Sequence, residues 1–205
     1  MVPSLKEALG YRGCPICWKL DKDELDFMCS LQGALKEEKI RQVLASSNGF
    51  CNFHFHEMAR LTSPLVIALV ASDMIDKEIE KIERETSCLP SRSDCPVCEF
   101  LGQRDRFYLE ECVALLHESC GQREYEKTDG LCRIHMEKVL NLQEGNELSR
   151  VLRHTQLRQL WSLRGELLDF ISKGGRGSQR MGREKNSWWV ALQKWVGKRG
   201  LPGAF

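Results

Sequence analysis

Eight cysteine and histidine residues fall into a pattern that can bind metal ions. Cys-Pro-x-Cys occurs at Cys14–Cys17 and again at Cys95–Cys98, and Cys-x-x-His occurs at Cys51–His54 and at Cys132–His135. Thiolate sulfur and imidazole nitrogen are the ligands that zinc favours in structural sites. The spacer between the two motifs has the same length in both halves of the chain, from Cys17 to Cys51 and from Cys98 to Cys132. Because the spacers are equal, the pattern is far more specific than one Cys-x-x-Cys.

The chain contains an internal repeat, in which Cys14 corresponds to Cys95 and Cys51 to Cys132. The turn signals Asn48-Gly49 and Asp129-Gly130 correspond at the same offset, and each precedes a Cys-x-x-His motif. Apolar positions also correspond: Leu20 with Leu101, Phe27 with Tyr108, Leu35 with Leu116, and Leu61 with Leu142. We therefore expect two versions of one structural unit, at residues 1–91 and 92–173, followed by a tail at 174–205.

We expect the ligands to pair within each repeat. Cys14, Cys17, Cys51 and His54 would form one Cys3His site, and Cys95, Cys98, Cys132 and His135 the other. The Cys-Pro-x-Cys turn would aim two sulfurs at one point, and Cys-x-x-His at a helix start would place two more ligands on one helix face. The alternative is an exchanged arrangement, in which each Cys-Pro-x-Cys serves the other repeat's Cys-x-x-His.

Zinc is the metal that we predict for both sites. Three thiolates and an imidazole suit a closed tetrahedral zinc site, which leaves no open position for water or substrate. An iron–sulfur cluster is the alternative, although the close three-cysteine runs of ferredoxins are missing. Thiol–disulfide chemistry is a minor alternative, because the βαβ pattern of thioredoxin-like enzymes is missing. No phosphate loop, nucleophile elbow or paired-carboxylate motif occurs, so we predict a protein that is not an enzyme.

The remaining cysteines and histidines have no counterpart in the other repeat. They are Cys29, Cys88, Cys112, Cys120, His56, His117 and His154. A free cysteine usually behaves as a small buried hydrophobe, so we predict no ligand role for any of the seven.

Helical spacing of apolar residues dominates the pattern, and strand-like alternation is scarce. Residues 18–45 and their counterparts predict helices, and Cys51–Leu61 and Cys132–Leu142 predict helices that begin at the ligands. Longer helices follow, with apolar stripes from Val66 to Ile82 and from Leu148 to Ile171, which we expect to pack in the core. The predicted fold is all-α: two tandem helical repeats, each held by a Cys3His site.

The tail at 174–205 is basic and rich in tryptophan. It carries seven lysine and arginine residues against one acidic residue, Glu184. Residues 174–186 predict a flexible linker, and Ser187 to Gly197 predicts an amphipathic helix with Ser187 as N-cap. We expect Trp188, Trp189 and Trp195 to dock on the protein's own body, a second copy or another protein. An anionic membrane and nucleic acid are alternative partners.

The ligand arrangement resembles that of treble-clef zinc fingers, although β-hairpin signals are missing. The whole chain, with two CPxC…G[FL]CxxH repeats and a basic Ser-Trp-rich C-terminal end, resembles an uncharacterised bacterial family. This resemblance implies a bacterial metal-binding protein and no particular activity. No membrane-length apolar run and no secretory core occur, so we expect a cytoplasmic protein. The predicted function is a zinc-binding scaffold or interaction protein.

Overall fold

The computed structural model describes residues 4–84, 95–143, 147–173 and 182–199. These ranges contain ten α-helices and no β-strand, which confirms the all-α prediction. None of the described helices is both long and apolar enough to cross a bilayer. The helices are α1 (Leu5–Ala8), α2 (Pro15–Ala34), α3 (Glu38–Ser46), α4 (Asn52–Leu61), α5 (Pro64–Glu83), α6 (Pro96–His117), α7 (Ser119–Tyr125), α8 (Arg133–Leu142), α9 (Glu147–Ser172) and α10 (Ser187–Val196).

The sequence repeat is also a repeat of helices. Helices α2, α3 and α4 begin at Pro15, Glu38 and Asn52, and α6, α7 and α8 begin at the corresponding positions of the second repeat, Pro96, Ser119 and Arg133. The helical pattern at 18–45 corresponds to two helices, α2 and α3. Arg41 donates from Nη1 to the backbone oxygen of Leu35, and Gln122 donates to that of Leu116. These matching bonds satisfy carbonyl groups at the ends of α2 and α6, so the chain can turn in both repeats.

The compact units of the fold do not coincide with the sequence repeats. One unit lies within Met1–Asp21 and Asp105–Phe205, and the other within Lys22–Arg104. Each is therefore built from both repeats, which differs from the boundaries 1–91, 92–173 and 174–205 predicted from the repeat. The cause is the length of α2 and α6, since each begins in one unit and ends in the other.

The two predicted turns have the backbone conformation that their residues favour. Gly49 and Gly130 have φ of 74° and 75°, and Asn48 has φ of 62°. Glycine adopts this left-handed region without steric cost, and asparagine tolerates it better than most residues. At Gly130 a Cβ atom would clash with the side-chain oxygen of Gln159. Both turns therefore require glycine, and they deliver the chain to the starts of α4 and α8.

The predicted apolar stripes are only partly buried. In α5, Val66 and Val70 are buried, whereas Ile75, Ile79 and Ile82 are exposed. In α9 the buried members are Leu148 and Leu152, and the exposed ones are Leu160, Trp161, Leu168 and Ile171. The expectation that both stripes pack in the core was therefore wrong for their C-terminal parts. Helical spacing identifies an apolar face, but it does not show whether the chain itself covers that face.

Helix α10 forms as predicted and docks through a different face than expected. It packs against α8 and α9, with Val190 and Lys194 buried, while Trp188, Trp189 and Trp195 are 48–65% exposed. Gly197 ends it with φ of 76°, whereas Ser187 is the first helical residue and caps nothing. Of the predicted linker, 174–181 lie outside the described residues, and Arg183–Asn186 form a short 3-10 helix.

Candidate metal centres

The first cluster, here called the α2/α8 centre, joins Cys14 and Cys17 to Cys132 and His135. The Sγ atoms of Cys14 and Cys17 each lie 3.4 Å from Nδ1 of His135, and that of Cys132 lies 3.2 Å from it. The Sγ atoms of Cys17 and Cys132 are 3.7 Å apart. All four residues are buried. The cluster is thus a closed group of three sulfurs and one imidazole nitrogen.

The second cluster, the α4/α6 centre, joins Cys51 and His54 to Cys95 and Cys98. Nδ1 of His54 lies 3.2, 3.4 and 3.3 Å from the Sγ atoms of Cys51, Cys95 and Cys98. The Sγ atoms of Cys51 and Cys98 are 3.6 Å apart. His54 and Cys95 are buried, whereas Cys51 and Cys98 are partly exposed. This centre has the same chemistry as the first and is more open to solvent.

These distances match the edges of a tetrahedron around one metal ion. With Zn–S of about 2.3 Å and Zn–N of about 2.0 Å, ideal tetrahedral angles separate two sulfurs by about 3.8 Å and sulfur from nitrogen by about 3.5 Å. In each centre the four ligand atoms lie within 4.8 Å of one another. Each centre is therefore of the size that a single tetrahedral ion requires.

The ligand pairs are exchanged between the repeats, which corrects the pairing predicted within each repeat. Cys14 and Cys17 meet the Cys-x-x-His motif of the second repeat, and Cys95 and Cys98 meet that of the first. The reason is the length of α2, which carries the chain about 26 Å along the helix axis from Cys17 to its end at Ala34. Helix α3 has nine residues and returns at most about 14 Å of that distance.

All four ligand pairs lie at the N-termini of helices. Cys51 and Cys132 immediately precede α4 and α8, as predicted. The Cys-Pro-x-Cys segments are the first turns of α2 and α6 rather than separate turns, with Pro15 and Pro96 as first helical residues. Proline suits this position because its missing N–H group would have no helical partner there. The positive ends of four helix dipoles stabilise the thiolate form of the cysteines.

Each histidine is oriented by a carboxylate that the sequence analysis missed. Nε2 of His135 lies 2.9 Å from Oδ1 of Asp105, and Nε2 of His54 lies 3.1 Å from Oε1 of Glu24. A carboxylate bound to the other ring nitrogen is the usual support of a metal-ligating histidine, since it fixes the tautomer and leaves Nδ1 free for the metal. Glu24 and Asp105 occupy corresponding positions of the two repeats. The repeat offset was therefore the signal that would have revealed them.

The α2/α8 centre is braced by a bond network around Asp129. Oδ2 of Asp129 accepts from the backbone N–H of Gly13 at 2.8 Å and from Nε of Arg12 at 2.7 Å. Its other oxygen accepts from Arg183 at 2.8 Å. Lys194 of α10 donates to the backbone oxygen of Leu131 at 2.6 Å. The residues just before the ligands of α2 and α8 are thus tied together, and α10 is tied to the same turn.

In each of the two centres, neighbouring groups lower the pKa of one cysteine thiol. The hydrogen bond from Cys98 lowers the pKa of Cys95 to about 3, against the effect of burial and with support from His54. Burial opposes charge on His54, but bonds to Cys95 and Glu24 outweigh it and raise its pKa to about 10. In the other centre burial opposes the thiolate of Cys14, yet bonds from Cys132 and Cys17 hold its pKa well below the ordinary value. Each centre therefore favours an anionic sulfur, as a metal site requires.

The other cysteines and histidines take no part in either cluster among the described residues. Cys112 is buried, as expected of a small hydrophobe, and burial raises its pKa to about 12. Cys29 and Cys120 are exposed instead, and His56, His117 and His154 are exposed as well. Cys88 lies outside the described residues.

Comparison with known proteins matches residues 5–92 to the model of a family of unknown function, DUF6062. The matched part includes the first Cys-Pro-x-Cys and the first Cys-x-x-His motif. Searches of curated proteins and of solved structures found no match.

Proposed function

We propose that the protein binds one zinc ion at each centre and is a scaffold for interaction with other proteins rather than an enzyme. The observation that carries this proposal is the geometry of the ligand atoms. In both centres three sulfurs and one nitrogen lie within 4.8 Å of one another, with sulfur–nitrogen distances of 3.2–3.4 Å. This donor set and spacing suit a tetrahedral zinc ion.

The spacing also favours a single ion over an iron–sulfur cluster. A cluster places several irons and bridging sulfides between its protein ligands, so those ligands must lie further apart than around one ion. Four ligand atoms within 4.8 Å leave space for one ion only. Zinc accepts three thiolates and an imidazole without a redox requirement.

Two features support a structural role for the metal: the ligand set is closed, and the ligands join parts of the chain that are far apart in sequence. Four protein ligands complete a tetrahedral ion and leave no position for a substrate. The α2/α8 centre links Cys17 to Cys132 across 115 positions of sequence, and the α4/α6 centre links Cys51 to Cys98 across 47. Structural zinc contributes about 10–16 kcal/mol of apparent binding free energy near pH 7, which is comparable to the net stability of a domain.

Elemental analysis of protein purified without oxygen tests the metal assignment. We expect two zinc ions per chain and no absorption bands in the visible region. Cys132→Ser should lose one zinc, whereas Cys112→Ser, a buried cysteine outside both centres, should retain both. Iron with sulfide and visible absorption would overturn the assignment, and so would full occupancy in Cys132→Ser.

The tail supports a protein partner more than a membrane or nucleic acid. Of its basic residues, Arg183 is ion-paired with Asp129 and Glu166, and Lys194 and Lys198 are buried. These three of the tail's seven cations are engaged within the protein and are not free to contact phosphate groups. The exposed Trp188 and Trp189 instead offer the kind of aromatic surface that is enriched at protein interfaces.

Binding assays with defined probes test this part of the proposal. We expect neither anionic phosphatidylserine vesicles nor single-stranded oligonucleotides to bind at physiological salt. Binding of either that is lost in Trp188→Ala/Trp189→Ala, and kept in the control Phe107→Ala, would overturn the choice of a protein partner. Phe107 is a suitable control because it is similarly exposed and lies on α6.

A further inference from the structure

Helix α5 carries a second apolar face opposite the one that packs in its unit. Val66 and Val70 are buried, whereas residues spaced alternately three and four apart along the other side are all exposed. The three isoleucines among them are 49–61% exposed. Alternating steps of three and four are the spacing of a coiled-coil contact line. We call this line the α5 seam; it consists of Leu65, Ala68, Ser72, Ile75, Ile79 and Ile82.

Helix α9 carries a line with the same spacing. Its four apolar members are 50–66% exposed, and its fifth member, Arg164, lies 5.4 Å from the ring centre of Trp161. We call this line the α9 seam; it consists of Leu157, Trp161, Arg164, Leu168 and Ile171. Both seams are about 20–25 Å long at about 1.5 Å per residue. Apolar lines of this length on a protein surface usually mark a contact with another molecule.

The two seams have opposite charge. At about 100° per residue, Asp76, Glu78 and Glu83 border the α5 seam, while Lys77 and Lys81 lie on the other side of the helix. Lys77 is ion-paired with Glu80, and Lys81 bonds to Asn48. The α5 seam therefore has an acidic border.

The α9 seam is basic. Arg164 lies within it and Arg153 beside it, and neither forms an ion pair with the residues that the structure describes. The nearby Arg150 and Arg158 are exposed at the surface, where they pair with Glu147 and Glu126. Exposed pairs of this kind are weak, so these arginines can change partners at little cost.

We propose that the α5 seam of one copy packs against the α9 seam of a second copy of this chain. Pairing two α5 seams would place acidic borders together, and pairing two α9 seams would place Arg153 and Arg164 against their own counterparts. Only the mixed pair brings unlike charges together while it buries both apolar lines. Because the contact joins different surfaces, it closes if two copies exchange both seams and otherwise continues into longer assemblies.

Two single variants and their mixture test the pairing. Ile79→Glu disables the α5 seam, and Leu168→Glu disables the α9 seam. Each should lower the association constant at least tenfold, since each replaces an apolar contact residue with a carboxylate that must lose its hydration when the seam is buried. Val43→Glu, a change at a 66% exposed residue of α3, is the matched control and should associate as the unaltered protein does. Mass is measured by light scattering after gel filtration over a range of concentrations.

The mixture of the two variants distinguishes the pairing schemes. Ile79→Glu retains an intact α9 seam and Leu168→Glu an intact α5 seam, so an equimolar mixture should form a dimer, with twice the mass of one chain, although neither variant associates alone. Association of Leu168→Glu alone would mean that α5 seams pair with each other, and association of Ile79→Glu alone would mean the same for α9. Either result overturns the proposal, as does an unaltered protein that is monomeric at every concentration. Zinc content and helicity of each variant show that it has folded.

Discussion

The carboxylates behind the two histidines provide the sharpest test of the metal centres. Replacing Asp105 with leucine removes the bond at 2.9 Å to Nε2 of His135, and replacing Glu24 with leucine removes the bond at 3.1 Å to His54. Loss of such a partner typically lowers metal affinity 10- to 100-fold, which is about 1.4–2.7 kcal/mol. We expect Asp105→Leu near the upper end, because every ligand of its centre is buried and its hydrogen bond is the shorter one. Glu24→Leu should lie near the lower end, since Cys51 and Cys98 are partly exposed.

The two centres of one chain provide an internal control for this measurement. Each leucine variant is loaded with zinc and titrated with a competing chelator. One zinc ion should be released at a chelator concentration about 10- to 100-fold lower than in the unaltered protein. The other zinc ion should be released at the same concentration as in the unaltered protein. Asp105→Asn and Glu24→Gln keep a hydrogen-bond acceptor and lose only the charge, so their effects should be smaller. Asp26→Leu, an exposed change on the same helix as Glu24, should alter neither release.

The reasoning would be refuted if Asp105→Leu left both zinc affinities unchanged. It would also be refuted if one leucine variant weakened both centres equally, because, of the two clustered histidines, Asp105 bonds His135 of the α2/α8 centre and Glu24 bonds His54 of the α4/α6 centre. Far-ultraviolet circular dichroism of the zinc-loaded variants separates a local loss of affinity from a loss of fold.

Two further predictions concern the turns and the exposure of the centres. Gly130→Ala should lower the free energy of unfolding by about 1–3 kcal/mol, because alanine is strained at a φ of 75° and its Cβ atom would clash with Gln159. Urea denaturation measures this change. Gly165→Ala, in open space on helix α9, should instead stabilise by about 0.5–1 kcal/mol, and equal effects of the two changes would contradict the assignment. A thiol-modifying reagent should release zinc in two phases, the first from the centre with the partly exposed Cys51 and Cys98; a single phase releasing both ions would show that their exposure does not set the rate.

The clustered cysteine and histidine residues and most helices could be predicted from the sequence because both rest on local patterns. The equal spacing of the two motif pairs identifies all eight clustered residues, and helical spacing identifies α4, α5, α8, α9 and α10 within one or two residues. The pairing could not be read from spacing, because the same ligands satisfy both arrangements. The pairing goes with the uninterrupted length of α2, which ends at Ala34, next to the Leu35 backbone oxygen that accepts a hydrogen bond from Arg41.

The exposure of the two seams and the face through which α10 docks could not be predicted from the sequence, because both depend on tertiary contacts. Ile79 and Val70 belong to the same apolar pattern, and only packing separates the exposed residue from the buried one. Tryptophan is the largest apolar side chain in α10, so the pattern favoured it for docking. The structure buries Lys194 there instead, since its ammonium group reaches the backbone oxygen of Leu131.

The exchanged ligand pairs have a consequence for how such a chain can be divided. Each centre takes two ligands from one repeat and two from the other. A chain with a single repeat would hold half of each ligand set and would complete no centre alone, whereas two such chains together would complete both. The covalent link between the repeats thus makes permanent an association that separate half-length chains would have to achieve by binding. For the same reason no cut between the repeats yields a fragment with an intact centre.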